Sequence, residues 1–479
     1  MHPAIGADPG PGGGSDVTRG RPRNSLTSKG TPRFLRSPAA SDLFIAPHPP
    51  LDDNDRVTVD GARGTPGGPS REDPAMITPA VVEILFSAAS MTRWNDHARP
   101  GQFTELAKQA HKMIIAWVIA RCEEDRGDGP DWLRLVEGGL FEFLQRVVLT
   151  DIKPPVFHRM MERHGPRLNR FVLEKLAGSF EPLAGGFWGR FREYLEDPLY
   201  SVREKVILRA AHFLATDWEF RMIYRFNRDL WGIEETRREI ESRVGEHIDL
   251  AGVREILARR GMAEKGLFAF IDLCGQLRFQ VRWAQLPRVP ATTVLEHLFV
   301  VASLSYFAAL ERGSSPGRLR NAFYGGLFHD LPEVLTRDIV SPVKRSVEGI
   351  EELVKEYEKE SMETRLLPLL PEGWRRQVRY LTEDEFSNKV RDPSGSGVRT
   401  GLVPSVMDAL YDADEWDPFD GSLVEACDKL AAMVEAALSI RNGVRPPALE
   451  RARREIYEVY KDTVIGGVDL GSLFRAFLD

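Results

Sequence analysis

The chain contains 479 residues, of which 42% are hydrophobic and 28% charged, which is enough apolar material for two domain-sized cores. Its formal net charge of -7 argues against a protein that coats nucleic acid, because that role needs a dominant basic surface. A small anionic ligand stays compatible with this balance, since its recognition needs only a local basic pocket.

The three cysteines, Cys122, Cys274 and Cys427, are far apart and form no CxxC pair. This spacing predicts neither a disulfide framework nor a zinc ribbon, and it favours a reducing compartment. The apolar run at residues 113–120 is far shorter than the roughly 20 residues that span a bilayer. The opening residues also lack the apolar core of a secretory signal. We therefore expect a cytoplasmic protein without a membrane partner.

Residues 1–75 are dominated by Gly, Pro, Ser, Arg and Asp. This composition has too little apolar surface to offset the entropy lost on ordering, so it predicts a disordered tail. The glycine-rich start lacks the Gly-Lys-Ser/Thr ending of a P-loop and has no strand before it, so it carries no phosphate-binding signal.

From Ile77 onward, apolar residues recur at helical spacing, and the long alternating stretches typical of strands are missing. The pattern predicts an all-α fold with a first helical domain over residues 77–230. A helical connection over 231–267, with Asp249 as a plausible N-cap, then leads into a second domain over 268–479.

An internal repeat relates the two halves. Residues 138–143, GGLFEF, match residues 325–330, GGLFHD. Because one matched dipeptide carries no weight whereas an ordered series does, the pattern favours a duplicated domain. The further matches pair Arg93-Trp94 with Arg282-Trp283, the helix around His111 with that around His297, Asp151-Ile152 with Asp338-Ile339, and residues 210–215 with residues 426–431.

Four residues of the second half offer metal-ligand chemistry: His297, the adjacent His329 and Asp330, and Asp428. Taken singly, each histidine could be a satisfied core residue and Asp428 a charge on a helix surface. Together, imidazoles and carboxylates on three apolar helices favour one divalent cation, since an isolated buried carboxylate is costly. Such ligands suit Mn, Co, Mg, Zn, Ni or Fe, and the sequence does not distinguish among these metals.

Residues 278–440 resemble an HD-domain phosphohydrolase, and more narrowly the bacterial 5'-deoxynucleotidase family. The likeness rests on four motifs: RW at 282–283, EH at 296–297, HDLPEVLTRDIVSPVK at 329–344 and ACDKLAAMVEA at 426–436. The resemblance implies an enzyme that removes phosphate from nucleoside 5'-monophosphates, with deoxy forms favoured, and that uses one divalent metal.

The resemblance also implies roles for residues around the metal. Glu333 would act as the general acid or base near the attacking water, and Asp338 would be a second acidic helper. Arg282 would clamp phosphate oxygens with its guanidinium fork, and Trp283 would pack on the sugar or base. The alternatives are solvated loop charges for the two acids and, for the Arg-Trp pair, a surface arginine beside a core tryptophan.

The first half departs from the motif at the positions that carry the chemistry. Phenylalanine cannot ligate a metal and arginine cannot act as a base, so we expect two HD-like bundles in tandem, the first of them catalytically silent. His111 keeps the residue type of His297, and we interpret it as a core or interface histidine; the alternative is an altered three-ligand site formed by His111, Glu142 and His212. The replacements are Glu142 for His329, Phe143 for Asp330, His212 for Asp428 and Arg146 for Glu333.

Two other functions fit the same residues. One is an HD hydrolase of another phosphorylated nucleotide, such as a triphosphate, a cyclic nucleotide or a guanosine alarmone. The other is a nucleotide-sensing module in which neither half turns over. A nucleotide is expected as the partner in each case, and a nucleic-acid polymer is not. If related enzymes pair as homodimers, the silent half could replace the second subunit, so monomer and homodimer both stay open.

Overall fold

The computed structural model describes residues 77–150, 152–258, 260, 265–337, 349–395 and 397–478, and this part of the chain is all-α, as predicted. The predicted disordered tail at residues 1–75 lies outside the described residues. Helices α7 and α8 fill the predicted connection. The helices before residue 260 are α1 Pro79–Ser87, α2 Glu105–Glu124, α3 Trp132–Leu149, α4 Pro154–Phe180, α5 Phe187–Glu196, α6 Val202–Tyr224, α7 Ile233–Gly245 and α8 Ala251–Ala258.

The described part of the second half is also helical, with two short antiparallel hairpins. Strand β1 Lys389–Arg391 pairs with β2 Val398–Thr400, and β3 Val464–Ile465 pairs with β4 Val468–Asp469. The helices are α9 Gly266–Gln276, α10 Val294–Glu311, α11 Pro316–Phe328, α12 Glu333–Thr336, α13 Ile350–Ser361, α14 Glu372–Thr382, α15 Pro404–Leu410, α16 Gly421–Arg441, α17 Pro447–Tyr460 and α18 Leu470–Ala476.

Helices α2 and α10 lie at the centre, and each begins at a threonine N-cap. The Thr104 side chain accepts the amide of Ala107 at 3.2 Å. Thr293 forms a capping box with Glu296, whose carboxylate accepts the Thr293 amide at 2.7 Å. These bonds satisfy amide groups that the first turn of a helix leaves without partners. The Thr104 hydroxyl also donates to Glu296, so the two caps contact each other.

Helix α10 is a core helix of unusual apolarity. Among the described helices it alone is long and apolar enough to cross a membrane, and 94% of that stretch is buried inside the protein. It is longer than the apolar run at residues 113–120. A helix that is hydrophobic all round is expected where neighbouring helices cover every face, as they do here.

The backbone repeats the same loop before each central helix. Thr92 forms a bridge with Thr104, and Val281 forms a bridge with Thr293. The tryptophans that follow, Trp94 and Trp283, adopt left-handed φ values of 54° and 56°. Such values are rare for bulky residues, so their recurrence at equivalent positions supports a duplicated unit.

The two halves pack reciprocally. Helix α1 of the first half contacts α10, helix α9 of the second half contacts α2, and α2 contacts α10. One continuous hydrophobic core therefore includes residues of both halves, from Ile77 to Phe477. The division into two domains stays a prediction, because this shared core does not separate them.

Candidate functional site

Three predicted metal ligands come together from three helices. His297 lies in the first turn of α10, His329 directly follows α11, and Asp428 lies in α16. One ligand atom of each lies within 4.8 Å of the others, and all three residues are buried. Two imidazole nitrogens and one carboxylate oxygen form a donor set that suits a divalent metal.

The environment of His329 leaves one ring nitrogen directed at this cluster. Its Nδ1 donates to the carbonyl of Gly326 at 2.8 Å. Its buried Nε2 makes no hydrogen bond of good geometry and lies 3.3 Å from Asp330 Oδ2. A histidine that ligates a metal typically donates its other ring N–H to a carbonyl or carboxylate, as His329 does here.

Asp428 is held in its ionised form. Its Oδ1 lies 2.9 Å from His297 Nε2, and its Oδ2 accepts from Lys429 Nζ at 2.7 Å. Burial alone would raise the pKa of Asp428, but Lys429 and His297 outweigh it and hold the pKa well below its usual range. A buried carboxylate that stays negative is what a cation site needs.

Asp330, the fourth predicted ligand, lies beside the three-residue cluster rather than within it. Its Oδ2 accepts from Arg282 Nη1 at 3.4 Å. Burial opposes ionisation of Asp330, yet His329 and Arg282 lower its pKa. The predicted phosphate clamp Arg282 is thus present at the site, and its Nη2 lies 3.9 Å from Asp428 Oδ1.

Glu435 is a site residue that the motif comparison did not single out. Its fully buried carboxylate accepts from Trp283 Nε1 at 2.8 Å, from Thr292 Oγ1 at 2.7 Å and from Arg282 Nε at 3.4 Å. Burial would raise the pKa of Glu435, but Arg282 and Arg288 reverse the shift and lower it. The sequence does contain a signal for Glu435. It lies seven residues after Asp428 in the same helix, and two turns of helix return to the same face.

The three acidic groups proposed or found near the ligands differ in position. Glu333 begins α12, and its amide donates to the carbonyl of Asp330 at 3.1 Å, so it follows the His-Asp pair by one turn. Glu385, between α14 and β1, was not predicted; burial, with Asp330 as a further charge, raises its pKa. Asp338 lies outside the described residues, so its predicted role stays a prediction.

The first half contains a counterpart of the His297–His329–Asp428 cluster. The spacing of its residues from the start of α2 corrects the match between His111 and His297. Lys108 follows the Thr104 cap by four residues, as His297 follows Thr293, so the residue equivalent to His297 is Lys108 and not His111. Lys108 Nζ contacts His212 Nδ1 at 2.9 Å, as His297 contacts Asp428.

His111 lies one turn further along α2, where it serves packing. Its Nε2 lies 3.0 Å from the carbonyl of Ile271, and its ring packs edge-on against Trp218. Phe143, at the position of Asp330, is fully buried against Phe299. His111 is therefore a buried interface histidine, as the sequence suggested, although it is not the equivalent of His297.

Comparisons with known proteins relate part of the chain to one family and to a few curated relatives. Residues 274–457 match the model of the HD-domain family. The chain is 36% identical over 76 residues to a dATP triphosphohydrolase of Acinetobacter phage SH-Ab 15497, covering 14% of this chain and 37% of the relative. It is 31% identical over 114 residues to a 5'-deoxynucleotidase of Photobacterium profundum, covering 22% of this chain and 57% of the relative.

A 5'-deoxynucleotidase of Vibrio vulnificus is 32% identical over 123 residues, which are 25% of this chain and 60% of the relative. The chain thus spans less than two thirds of the length of each of these curated relatives. No solved structure shows significant similarity to the chain. The match to the HD-domain family, over residues 274–457, covers the stretch that holds the buried His297–His329–Asp428 cluster.

Proposed function

We propose that the second half is a metal-dependent phosphohydrolase that releases phosphate from nucleoside 5'-monophosphates, with deoxynucleotides preferred. The observation that carries the proposal is the buried group His297, His329 and Asp428. Its two imidazoles and one ionised carboxylate fit a single divalent cation, and part of the chain is similar to relatives named 5'-deoxynucleotidase.

A divalent ion held by these residues, with Asp330 beside them, would acidify a water and neutralise phosphate oxygens. The chain supplies the remaining groups. Arg282 is fixed in place by Glu435 and Asp330, with a side chain that is 12% exposed. A guanidinium held in this way can bind phosphate oxygens through several N–H groups, so we assign phosphate orientation to Arg282.

Proton transfer falls to the acidic residues next to the ligands. Glu333 lies one turn after the His-Asp pair, within the same run of tight turns, and it is our candidate for the group that accepts the proton of the attacking water. Glu385 has a raised pKa, which suits a carboxyl group that donates a proton to the departing oxygen.

A second candidate function is hydrolysis of deoxynucleoside triphosphates. One observation favours it: the relative with 36% identity is named a dATP triphosphohydrolase. The same ligand cluster would serve both reactions, because in each of them water attacks the α phosphorus and the 5' oxygen of the nucleoside leaves. The two reactions differ in whether the pocket accepts a monophosphate or a triphosphate. The products separate the candidates, because a phosphomonoesterase releases inorganic phosphate whereas a triphosphohydrolase releases inorganic triphosphate.

The test is product analysis with the full-length protein loaded with Mn, Co, Mg or Zn. Substrates are AMP, dAMP and dATP, and products are separated by ion-exchange chromatography. We expect phosphate from dAMP, less from AMP, and none from the His329→Ala variant. The matched control is His111→Gln, which alters a buried histidine outside the cluster and leaves turnover intact.

Three other results would contradict the proposal. Triphosphate from dATP without cleavage of dAMP supports the second candidate. Nucleotide binding without any product supports a sensor. Equal activity in His329→Ala and the unaltered protein shows that the cluster is not the catalytic centre.

A further inference from the structure

The first-half counterpart of the metal cluster contains a buried lysine with an unusual environment. Lys108 is 1% exposed, and its Nζ contacts the two ring nitrogens of His212 at 2.9 and 3.1 Å. Among the residues that the structure describes, no carboxylate lies within ion-pair distance of this amino group. A buried ammonium with only an imidazole as partner is costly unless a counter-ion joins it.

The carboxylates nearest to Lys108 already have cationic partners. Glu142 accepts from Lys112 Nζ at 2.7 Å. Glu105 accepts from Arg93 at 2.8 Å, and Glu219 accepts from Arg278 at 2.8 Å. These three carboxylates are therefore already engaged by other cations, and none of them forms an ion pair with Lys108.

The pKa of Lys108 reflects this lack of a carboxylate partner. Burial and the charge of Arg93 lower the pKa of Lys108 well below its usual value, and the attraction of Glu105 and Glu219 does not compensate. Without a further anion, the amine is driven toward its neutral form.

The residue differences between the halves change the charge of the site, from mainly acidic side chains in the second half to mainly basic ones in the first. His297, Asp330, Asp428 and Glu333 carry three carboxylates around a cluster suited to a cation. Their counterparts, Lys108, Phe143, His212 and Arg146, carry three basic side chains, and the one carboxylate of the first-half set, Glu142 at the position of His329, is paired with Lys112. Arg146, whose side chain is 17% exposed, is the part of this basic cluster that faces solvent, whereas Lys108 and Lys112 are buried.

We propose that Lys108, His212, Lys112 and Arg146 form a metal-independent site for the phosphoryl group of a phosphate monoester, which they bind without hydrolysing. The ammonium of Lys108 takes the place of the metal as the central positive contact, and Arg146 adds a guanidinium at the rim. No group at the positions of Asp330 and Glu333 can ligate a metal or accept a proton from water, so the bound phosphate stays intact.

The test uses the full-length chain with Asp330→Asn, kept in EDTA so that the second half holds no metal. Titration calorimetry measures binding of inorganic phosphate and, separately, of dAMP. We expect one saturable site, with at least about tenfold weaker binding in Lys108→Met, because the charged hydrogen bond to the phosphoryl group is lost. The matched control is Lys175→Met, which removes an exposed lysine of α4 and should leave the affinity unchanged.

Lys108→Met is expected to fold, since an apolar side chain of similar length replaces a buried amine without a carboxylate partner, and its thermal unfolding temperature should be equal or higher. Tighter binding of dAMP than of phosphate identifies a nucleoside monoester as the ligand, and equal affinity identifies free phosphate; both support the site. No binding in EDTA, equal binding in Lys108→Met, or equal losses in Lys108→Met and Lys175→Met would each overturn the proposal.

Discussion

The carboxylate of Glu435 accepts a 2.8 Å hydrogen bond from the indole Nε1 of Trp283. Glu219 and Trp94 make the same bond in the first half, also at 2.8 Å. Each Arg-Trp pair is therefore anchored on a buried glutamate of the neighbouring helix. This anchoring explains why the pair persists in a half that lacks the predicted metal ligands. The indole N–H of Trp283 is therefore occupied by a structural hydrogen bond.

The Glu435→Gln variant is expected to lower kcat for dAMP roughly 10- to 100-fold, with little change in the affinity for the metal. Glutamine keeps the size of the side chain but loses the charge that fixes Arg282 beside Asp330. The measurement is steady-state hydrolysis of dAMP together with the thermal unfolding temperature.

The matched control for Glu435 is Glu219→Gln, which changes the equivalent anchor in the first half. It should lower the unfolding temperature, because Arg93 and Arg278 lose their buried partner, while kcat stays unchanged. A Glu435→Gln protein that unfolds earlier yet keeps its full kcat would show that the anchor does not position Arg282.

The Asp428→Asn variant is expected to lose at least about tenfold in metal affinity, because the one carboxylate among the three clustered ligands becomes neutral. Metal content after dialysis, measured by plasma mass spectrometry, checks this. His111→Gln should retain the metal, since His111 contacts Ile271 and Trp218 and lies outside the cluster. If the two variants lose metal equally, the cluster is not the binding site.

His111 predicts a pH dependence of stability. Burial, with Arg278 as a further cause, lowers the pKa of His111 from 6.5 to about 3. The unfolded chain therefore binds this proton more readily between these values, so the free energy of unfolding falls as pH drops from 6.5 toward 3 and is unaffected above 6.5. The loss from this group reaches at most about 5 kcal/mol.

The check is urea unfolding of the unaltered chain and of His111→Gln at about pH 7 and about pH 5. Glutamine keeps a donor for the Ile271 carbonyl but does not titrate in this range. The variant should therefore lose less stability on acidification. Parallel pH profiles for the two proteins would contradict the assignment.

The paired glycines of the repeat predict unequal tolerance of alanine. A Cβ at Gly326 would lie 2.7 Å from the backbone of Ala302, whereas a Cβ at Gly139 would meet the flexible end of Met113. We expect Gly326→Ala to cost roughly 1–3 kcal/mol and Gly139→Ala clearly less, because a side chain can move where a packed backbone cannot. Thermal unfolding of both variants tests this order, and equal losses would contradict it.

The sequence predicted the helical class and the residues of the ligand cluster because both depend on short-range patterns. Helical spacing of apolar residues reveals buried faces, and His329-Asp330 is recognisable wherever the motif stands. The meeting of His297 with Asp428 follows from the motif as well, although the residues lie far apart in the chain.

What the sequence missed depends on packing between distant segments. Glu435 gains its role from Trp283 and Arg282, and Glu385 from its nearness to Asp330, which no local pattern displays. The match of His111 with His297 was wrong because the sequence comparison paired two residues of the same type that lie at different distances from their helix starts. The threonine caps set the true register, and they place Lys108 there instead.

The reciprocal packing of α1 on α10 and of α9 on α2 places the two halves, which we predict to be a duplicated unit, in one core within one polypeptide. In a symmetric pair of identical subunits, every substitution appears at both centres at once. Within a single chain the two centres mutate separately, so one copy can exchange a histidine for Lys108 while His297 is retained in the other. If the second half holds the catalytic centre, as we propose, the first half is thereby released from the need to be catalytic itself.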